Sequence, residues 1–309
     1  MIYTLTLNPA IDKTVEISGL ALGGVNRISS LRTDAGGKGI NVSKVLTTIG
    51  GKSVAMGIVG GSGGDMIENT LKSMGIETDF VRVTAETRVN MKIIDTEQGI
   101  NTDINEPGTP VTSDVIDDVF KKLDSRLQKG DIAVLAGSVP KGAPVDIYAK
   151  LVRLCNAHEA YAVLDVDGVL LTEGIKAKPF LIKPNIDELC RISGKPLETL
   201  KDVALYAKEL VRSGIPNVVV SLGGDGALFV NEQSVYHAHG LKVTVRSTVG
   251  AGDSMVAAIC HSLDNGYDIT KMITLAVATS AANVTCSGTQ AAEYSVIEPL
   301  MKQVVWEKL

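Results

Sequence analysis

The sequence has few cysteines, and none of them are paired. Its four cysteines, Cys155, Cys190, Cys260 and Cys286, stand apart with no C-x-x-C spacing. Paired spacing is typical of structural zinc sites and of redox-active cysteine pairs. The pattern therefore predicts isolated thiols in a reducing compartment, with no disulfide and no structural zinc.

An excess of positive charge is also absent. The chain has 30 Lys and Arg against 35 Asp and Glu, which gives a formal net charge of −5 and a pI of about 5.5. A protein that binds nucleic acid through a general positive field needs the opposite balance. We therefore expect no nucleic-acid partner, although a local basic pocket for a small anion is compatible with this composition.

The sequence lacks the features of export and of a membrane span. Residues 1–7 have no basic segment followed by a long apolar one, as a signal peptide would. Residues 272–292 carry no charge, but polar side chains are too frequent there for a membrane span. The pattern favours a buried helix followed by a loop. We expect a cytoplasmic protein with no membrane partner.

Short apolar runs alternate with segments of helical periodicity along most of the chain. This alternation predicts an α/β fold, a doubly wound and mostly parallel sheet with helices on both faces. A length of 309 residues would allow two domains. No linker, repeat or low-complexity tract divides the chain, so we predict a single domain over 1–309. The predicted buried strands are 2–7, 53–59, 131–135, 162–166, 180–182 and 217–221.

Two segments, about 13–34 and 88–105, break the alternation. Both have the polar alternation of short exposed strands and contain no helix of their own. They predict a small β-sheet lid across the edge where open α/β sheets bind ligands. Because exposed edge strands pair readily with another chain, we expect a homodimer through this lid.

A glycine cluster at 248–254 follows a predicted strand at 242–246 and opens an apolar helix. Small residues at a helix start leave backbone N–H groups free to hold an anion. Asp253 would compete with that anion unless it accepts a proton from a hydroxyl while the N–H groups hold a phosphoryl group. An ordinary glycine turn with an acidic N-cap is the alternative.

Two further glycine clusters lie at 35–41 and 221–227. The first opens a helix and offers Lys38 and Asn41 on its first turn. It is not a Walker A loop, because G-x-x-x-x-G-K-[ST] is absent from the chain. The second follows a strand, and a hairpin turn explains it equally well.

Together these clusters resemble the two signatures of the ribokinase-like (PfkB) carbohydrate kinase superfamily. Residues 36–43 match the first signature and residues 250–253 match the second, in the right order. Other segments that carry the resemblance are 6–13, 86–90, 137–142 and 183–189. Within the superfamily the chain is most similar to the branch that acts on fructose 1-phosphate, with the tagatose-6-phosphate kinases as near neighbours.

The resemblance implies a ribokinase-like fold and a role for each matching residue. Asp253 would be the catalytic base, and Gly250, Ala251 and Gly252 would form the backbone anion hole. The sugar phosphate would be bound by Asp12, Gly36, Gly37, Lys38, Asn41, Arg88 and Ser138. ATP would be bound by Lys183, Asn185, Ser221, Gly223, Gly226, Thr248 and Asn283. Glu188 would hold Mg²⁺ through water.

Several of these positions also allow simpler interpretations. Asp12 could be a turn residue, Asn185 and Glu188 a plain helix cap, and Asn283 a buried and self-satisfied amide. Lys13, Arg27 and Lys141 are weaker candidates for the phosphate of the sugar.

The resemblance implies that the protein phosphorylates a ketohexose monophosphate, with ATP as the phosphoryl donor and Mg²⁺ as its cofactor. Fructose 1-phosphate would then give fructose 1,6-bisphosphate. Tagatose 6-phosphate is the close alternative as substrate. A non-catalytic sensor of sugar phosphate or nucleotide is the alternative from another class.

Overall fold

A computed structural model describes residues 1–286 and 288–309, and in these ranges the chain forms two β-sheets with helices. The strands are β1 (Ile2–Thr6), β2 (Ala10–Ile17), β3 (Ser30–Gly36), β4 (Ser53–Gly60), β5 (Glu77–Val83), β6 (Arg88–Asp95), β7 (Ile100–Asn105), β8 (Ile132–Ala136), β9 (Tyr161–Asp165), β10 (Leu181–Ile182), β11 (Asn217–Ser221), β12 (Ala227–Asn231), β13 (Val235–Ala238) and β14 (Trp306–Lys308). The helices are α1 (Lys38–Thr48), α2 (Gly61–Ser73), α3 (Ser113–Arg126), α4 (Ile147–Ala157), α5 (Gly168–Ile175), α6 (Ile186–Ser193), α7 (Leu200–Arg212), α8 (Ala251–Asp264), α9 (Ile269–Asn283) and α10 (Tyr294–Met301).

The larger sheet has the strand order β14-β13-β12-β11-β10-β9-β8-β1-β4-β5. Strands β11 to β5 in this order pair in parallel, and β12, β13 and β14 add an antiparallel edge. Strands β1, β4 and β8 are buried along their whole length, because helices cover both faces of the sheet. The predicted doubly wound α/β fold is therefore confirmed.

The smaller sheet has the order β3-β2-β6-β7, with β2 antiparallel to β3 and parallel to β6. The apolar side chains Ile11, Val15 and Ile17 of β2 are buried, whereas β7 is exposed along its whole length. The first lid segment, predicted at about 13–34, is longer in the structure, because its strands begin at Ala10 and end at Gly36.

The predicted strand at 242–246 is wrong. This segment has no regular structure in the fold. The alternation of Val243 and Val245 with polar residues is typical of a strand, but the segment pairs with no strand of either sheet. Instead the backbone N–H groups of Arg246 and Ser247 donate to the carbonyl oxygen of Val284, at 2.8 and 3.2 Å.

The uncharged segment at 272–292 lies largely in α9 and the turn after it. The helix is mostly buried, as predicted, and Ser287 falls outside the described residues. Within 1–286 and 288–309, no helix combines the length and apolar character that a membrane crossing requires. All four cysteines carry free thiols.

Candidate active site

A cleft of about 850 Å³ lies at the carboxyl ends of the parallel strands, between the two sheets. Ligands bind at this position in open α/β sheets. Most of the predicted site residues line it, namely Asp12, Gly37, Lys38, Asn41, Arg88, Ser138, Lys183, Asn185, Glu188, Ser221, Gly223, Gly226, Thr248, Gly250, Ala251, Gly252 and Asp253. Gly36 and Asn283 do not line the cleft, and neither do Lys13, Arg27 and Lys141.

The amino end of α8 opens into the middle of the cleft. Gly250 caps the helix in the left-handed conformation, with φ 82°, which favours glycine. The backbone N–H groups of Ala251, Gly252 and Asp253 come before the first intrahelical donor, Ser254, which bonds the carbonyl of Gly250 at 2.9 Å. The N–H of Ala251 makes only a long turn bond of 3.4 Å to the carbonyl of Thr248, and those of Gly252 and Asp253 have no backbone partner among the described residues. These N–H groups, with the positive end of the helix dipole, form a site for an anion.

Asp253 lies at this helix end and is only 6% exposed. Its Oδ2 accepts a hydrogen bond of 2.8 Å from Nδ2 of Asn41, on the first turn of α1. Burial and the charge of Asp165 raise the pKa of Asp253 to about 6, against the opposing charge of Lys38. A carboxylate with such a pKa can accept a proton at neutral pH and still be ionised beforehand.

Asp165, the last residue of β9, is a site residue that sequence reasoning missed. Its Oδ1 lies 3.1 Å from Nζ of Lys38 and 3.5 Å from Nζ of Lys183. Burial alone would raise the pKa of Asp165, but the two ammonium groups lower it. For Lys38, burial is outweighed by the charges of Asp165 and Asp253, which raise its pKa well above the usual range. Asp165 thus joins Lys38 and Lys183 at the floor of the cleft.

Lys183 lies close to the anion-binding helix end. Its side chain is 6% exposed, and its Nζ would lie 2.9 Å from a Cβ placed on Gly252. Any side chain at this position would press on the ammonium group. The glycine therefore lets a buried cation approach the same N–H groups that open into the cleft.

One end of the cleft carries a cluster of amides around Asp12. Nδ2 of Asn90 donates to Oδ1 of Asp12 at 3.0 Å, and burial raises the pKa of Asp12 despite this bond. Gly36 packs directly on the carboxylate of Asp12, where no Cβ would fit. The side-chain oxygens of Asn41 and Asn90 are buried without a hydrogen-bond partner among the described residues. Hydroxyl groups of a sugar are suitable donors for such oxygens.

Arg88 lies at the same end and is held by backbone carbonyls. Nε and one terminal nitrogen donate to the carbonyl of Asn8, at 3.2 and 3.0 Å, and the other terminal nitrogen donates to that of Glu106 at 2.8 Å. These bonds fix the guanidinium without neutralising it, and no carboxylate among the described residues forms a salt bridge with it. Its charge is therefore available to an anion.

The other end of the cleft is more apolar and rich in glycine. Leu241, Val243, Val245, Val277 and Val284 line it, together with Gly223, Gly224, Gly226 and Gly240. The third glycine cluster is a turn between the antiparallel strands β11 and β12, as the hairpin interpretation predicted, and it also faces the cleft. A flat aromatic group would fit between apolar side chains and bare backbone of this kind.

Asn185 and Glu188 form a reciprocal helix cap at the start of α6. Oδ1 of Asn185 accepts from the backbone N–H of Glu188 at 2.8 Å, and Oε2 of Glu188 accepts from that of Asn185 at 2.9 Å. Both residues also line the cleft. The cap interpretation is therefore correct, and it leaves Oε1 of Glu188 without a hydrogen bond from the described residues.

Asn283 lies behind the anion-binding loop. It is buried, and its Nδ2 donates to the carbonyl of Val249 at 3.3 Å. The same amide would lie 3.1 Å from a Cβ on Gly250. Asn283 therefore holds the loop at Val249 from the interior of the protein, which agrees with the interpretation of a buried and self-satisfied amide.

The model of the family described as pfkB family carbohydrate kinase matches residues 4–295. The 1-phosphofructokinase of Bacillus subtilis is 39% identical over 282 residues, which cover 91% of this chain and 92% of that protein. The 1-phosphofructokinase of Haemophilus influenzae is 34% identical over 304 residues, which cover 98% and 97%. The crystal structure of phosphofructokinase-2 from Escherichia coli in complex with fructose-6-phosphate superposes with a TM-score of 0.92 at 27% identity, over 98% of both chains.

Proposed function

Since this chain belongs to the pfkB family of carbohydrate kinases and is an ATP-dependent sugar-phosphate kinase, we propose that its substrate is fructose 1-phosphate and its product fructose 1,6-bisphosphate. The names of its Bacillus and Haemophilus relatives support this choice of sugar. The buried Asp253, at the amino end of α8, is the observation that carries the proposed chemistry.

The amide cluster around Asp12 is the proposed sugar site. The carboxylate of Asp12 accepts from sugar hydroxyls, and the unpartnered oxygens of Asn41 and Asn90 accept from others. Ser138, after β8, lines the same end of the cleft. Arg88 binds the phosphate that the substrate already carries, through the two N–H groups that its backbone acceptors leave free.

Asp253 is the proposed base for the free primary hydroxyl of the sugar. It takes the proton as that hydroxyl attacks the γ-phosphorus of ATP and the bond to the leaving oxygen of ADP breaks. The N–H groups of Ala251 and Gly252 hold the charge that develops on the phosphoryl oxygens. Lys38 and Lys183, both bound to Asp165, add positive charge at the same place.

The glycine-rich end of the cleft is the proposed nucleotide site. The adenine lies against Val243, Val245 and Val284, and the turn at 223–226 follows the ribose and phosphates. Mg²⁺ prefers oxygen ligands and keeps several of its waters. Glu188 lines the cleft, and its Oε1 has no hydrogen bond from the described residues. This oxygen fits the chemistry of Mg²⁺ and would hold the ion through water. The bound ion would neutralise charge on the phosphates.

The smaller sheet is the proposed lid of a single domain and the contact of a homodimer. Its exposed apolar residues include Leu31 of β3, Ile100 and Ile104 of β7, with 52–57% of each residue exposed. A second copy of the sheet would cover them.

We expect the wild type to sediment as a dimer, and the double variant Leu31→Asp/Ile104→Asp to sediment as a monomer. A monomeric wild type at micromolar concentration would contradict the dimer, and Leu205→Asp on the exposed face of α7 is the matched control.

A panel of substrates tests the choice of sugar. ADP release is measured with Mg²⁺ and ATP against fructose 1-phosphate, tagatose 6-phosphate, fructose 6-phosphate and free fructose. We expect kcat/KM for fructose 1-phosphate to exceed each of the others by at least ~100-fold, which equals about 2.7 kcal/mol of discrimination in the transition state. Higher efficiency with tagatose 6-phosphate would keep the mechanism and overturn the sugar.

Arg88→Lys is the control that isolates recognition of the phosphate. The variant keeps the positive charge and loses the planar fork that binds two oxygens. Its kcat/KM should fall for fructose 1-phosphate and stay the same for free fructose, so that the advantage of the phosphorylated sugar shrinks. An unchanged advantage would remove Arg88 from the phosphate site.

A further inference from the structure

Two histidines and a glutamate meet on the antiparallel edge of the larger sheet, away from the cleft lining. His237 in β13 lies directly opposite Glu307 in β14 in the strand register. His239 is two residues further along and shares the face of His237. Oε1 of Glu307 lies 3.7 Å from Nδ1 of His237 and 3.5 Å from Nε2 of His239. Within 1–286 and 288–309, this is the one group of three or more His, Cys, Asp or Glu whose ligand atoms lie within 4.8 Å of one another.

The ring of His237 is oriented by a hydrogen bond at one nitrogen, which leaves the other nitrogen for a metal. Its Nε2 lies 3.2 Å from the carbonyl oxygen of Asp225, which can only accept a hydrogen bond. Nε2 is therefore the donor, which leaves Nδ1, the nitrogen on the side of Glu307, as the ligand atom. Histidines that bind metals usually donate their other ring N–H to a carbonyl or carboxylate in this way, which fixes the orientation of the ring.

The spacing and exposure of the three atoms suit a zinc ion. Ligands at about 2.0–2.2 Å in a tetrahedron lie roughly 3.3–3.6 Å apart. The two distances to Glu307 need little adjustment, and the ligand atoms of the two histidines lie within 4.8 Å of each other. The side chain of His237 is 11% exposed, whereas His239 and Glu307 are 48% and 55% exposed. The buried ring anchors the site, and the two outer ligands leave an entry path and room for a water as fourth ligand.

We propose that His237, His239 and Glu307 bind a divalent transition metal ion, Zn²⁺ or its analogue Co²⁺. Imidazole nitrogens favour these ions over Mg²⁺, which prefers oxygen. The ion would join β14 to β13 directly behind the turn at 223–226. There the backbone of 238–240 packs so closely on Gly226 that no Cβ would fit. The metal therefore clamps the last strand onto the wall of the proposed nucleotide site.

Titration of the full chain with Co²⁺ tests the proposal by absorption spectroscopy. The protein is first freed of metal with a chelator, and excess Mg²⁺ is kept present so that sites built from oxygen are filled. We expect one Co²⁺ per chain, with visible absorption that added Zn²⁺ abolishes. Zn²⁺ should also raise Tm, because it binds the folded chain.

Variants of the two exposed ligands distinguish this site from other binding. His239→Ala and Glu307→Gln should each weaken the binding of Co²⁺ by at least ~10-fold, and both should fold, since these side chains lie at the surface. His158→Asn is the matched control, because His158 pairs with Asp124 elsewhere on the surface, and it should bind Co²⁺ like wild type. Binding by His239→Ala as tight as that of wild type would overturn the proposal, as would failure of wild type to saturate at one Co²⁺ per chain.

Discussion

Asp253→Asn is expected to lower kcat by about 10²–10⁴-fold, because the amide cannot take the proton of the attacking hydroxyl. The amide oxygen can still accept the bond from Nδ2 of Asn41, so the local structure should persist. Coupled assays with saturating ATP and fructose 1-phosphate measure the effect, and binding of the sugar phosphate should change far less. Turnover near the wild-type rate would exclude Asp253 as the base.

The pH dependence provides a second measurement on the same carboxylate. In the wild type, kcat/KM should rise with pH up to about 6, where Asp253 becomes ionised, and should fall about tenfold per pH unit below it.

Because the pKa of Asp253 is raised in the folded state, that state binds more protons than the unfolded chain between about pH 4 and 6. Above pH 6 the ionised carboxylate therefore destabilises the fold. Asp253→Asn removes this charge, so at pH 8 the variant should be at least as stable as the wild type, and its loss of activity cannot come from unfolding.

The sheet could be predicted because its central strands are buried on both faces. A strand such as β8, with every residue buried, leaves a continuous apolar run in the sequence. The segment at 242–246 instead alternates apolar with polar residues, as a half-exposed strand does, but it lies in no sheet. Whether such a segment becomes a strand depends on whether a partner edge is free, which is a property of the assembled fold and not of the segment.

The sequence predicts those site residues that belong to one contiguous motif. The glycines at 250–252 and Asp253 belong to one helix start, so their spacing alone places them together. Asp165 and Asn90 act through contacts between distant segments, with Lys38 and with Asp12 respectively. A carboxylate at the end of the apolar run 162–166 was the available signal for Asp165, because charge at the end of a buried strand is costly unless it is paired.

The proposed metal site could not be predicted from the sequence for the same reason. The spacing of His237 and His239 is that of alternate residues on a strand, and β13 contains His237. Glu307 lies 68 residues after His239 in sequence and meets the pair only because β14 returns to the edge of the sheet. Local spacing could therefore not reveal a third ligand.

Asp165→Asn is expected to lower the free energy of unfolding by about 3–5 kcal/mol. Removing one partner of a buried ion pair leaves the other charge without compensation. Here the stranded group is mainly Lys183, whose side chain is 6% exposed, while Lys38 at 37% can turn partly towards water. Because the two lysines lower the pKa of Asp165, its stabilising effect is present above the ordinary pKa of an Asp and is lost as pH falls through the lowered value. Denaturant unfolding at pH 7 and at pH 3 therefore measures the difference, which should shrink at the lower pH.

Two variants separate the burial of charge from a general effect of losing an ion pair. Asp118→Asn removes the partner of Lys121 on the surface of α3, where the two side chains are 55% and 74% exposed, and should change stability by less than about 1 kcal/mol. Asp165→Leu/Lys183→Met replaces both buried charges with apolar groups, and should recover much of the lost stability while activity stays low. If Asp165→Asn unfolds at the same denaturant concentration as Asp118→Asn, the buried ion pairs of Asp165 stabilise the fold no more than the exposed pair of Asp118 does. In that case Lys183 must reach water or another acceptor, and the floor of the cleft would be held by packing instead of charge.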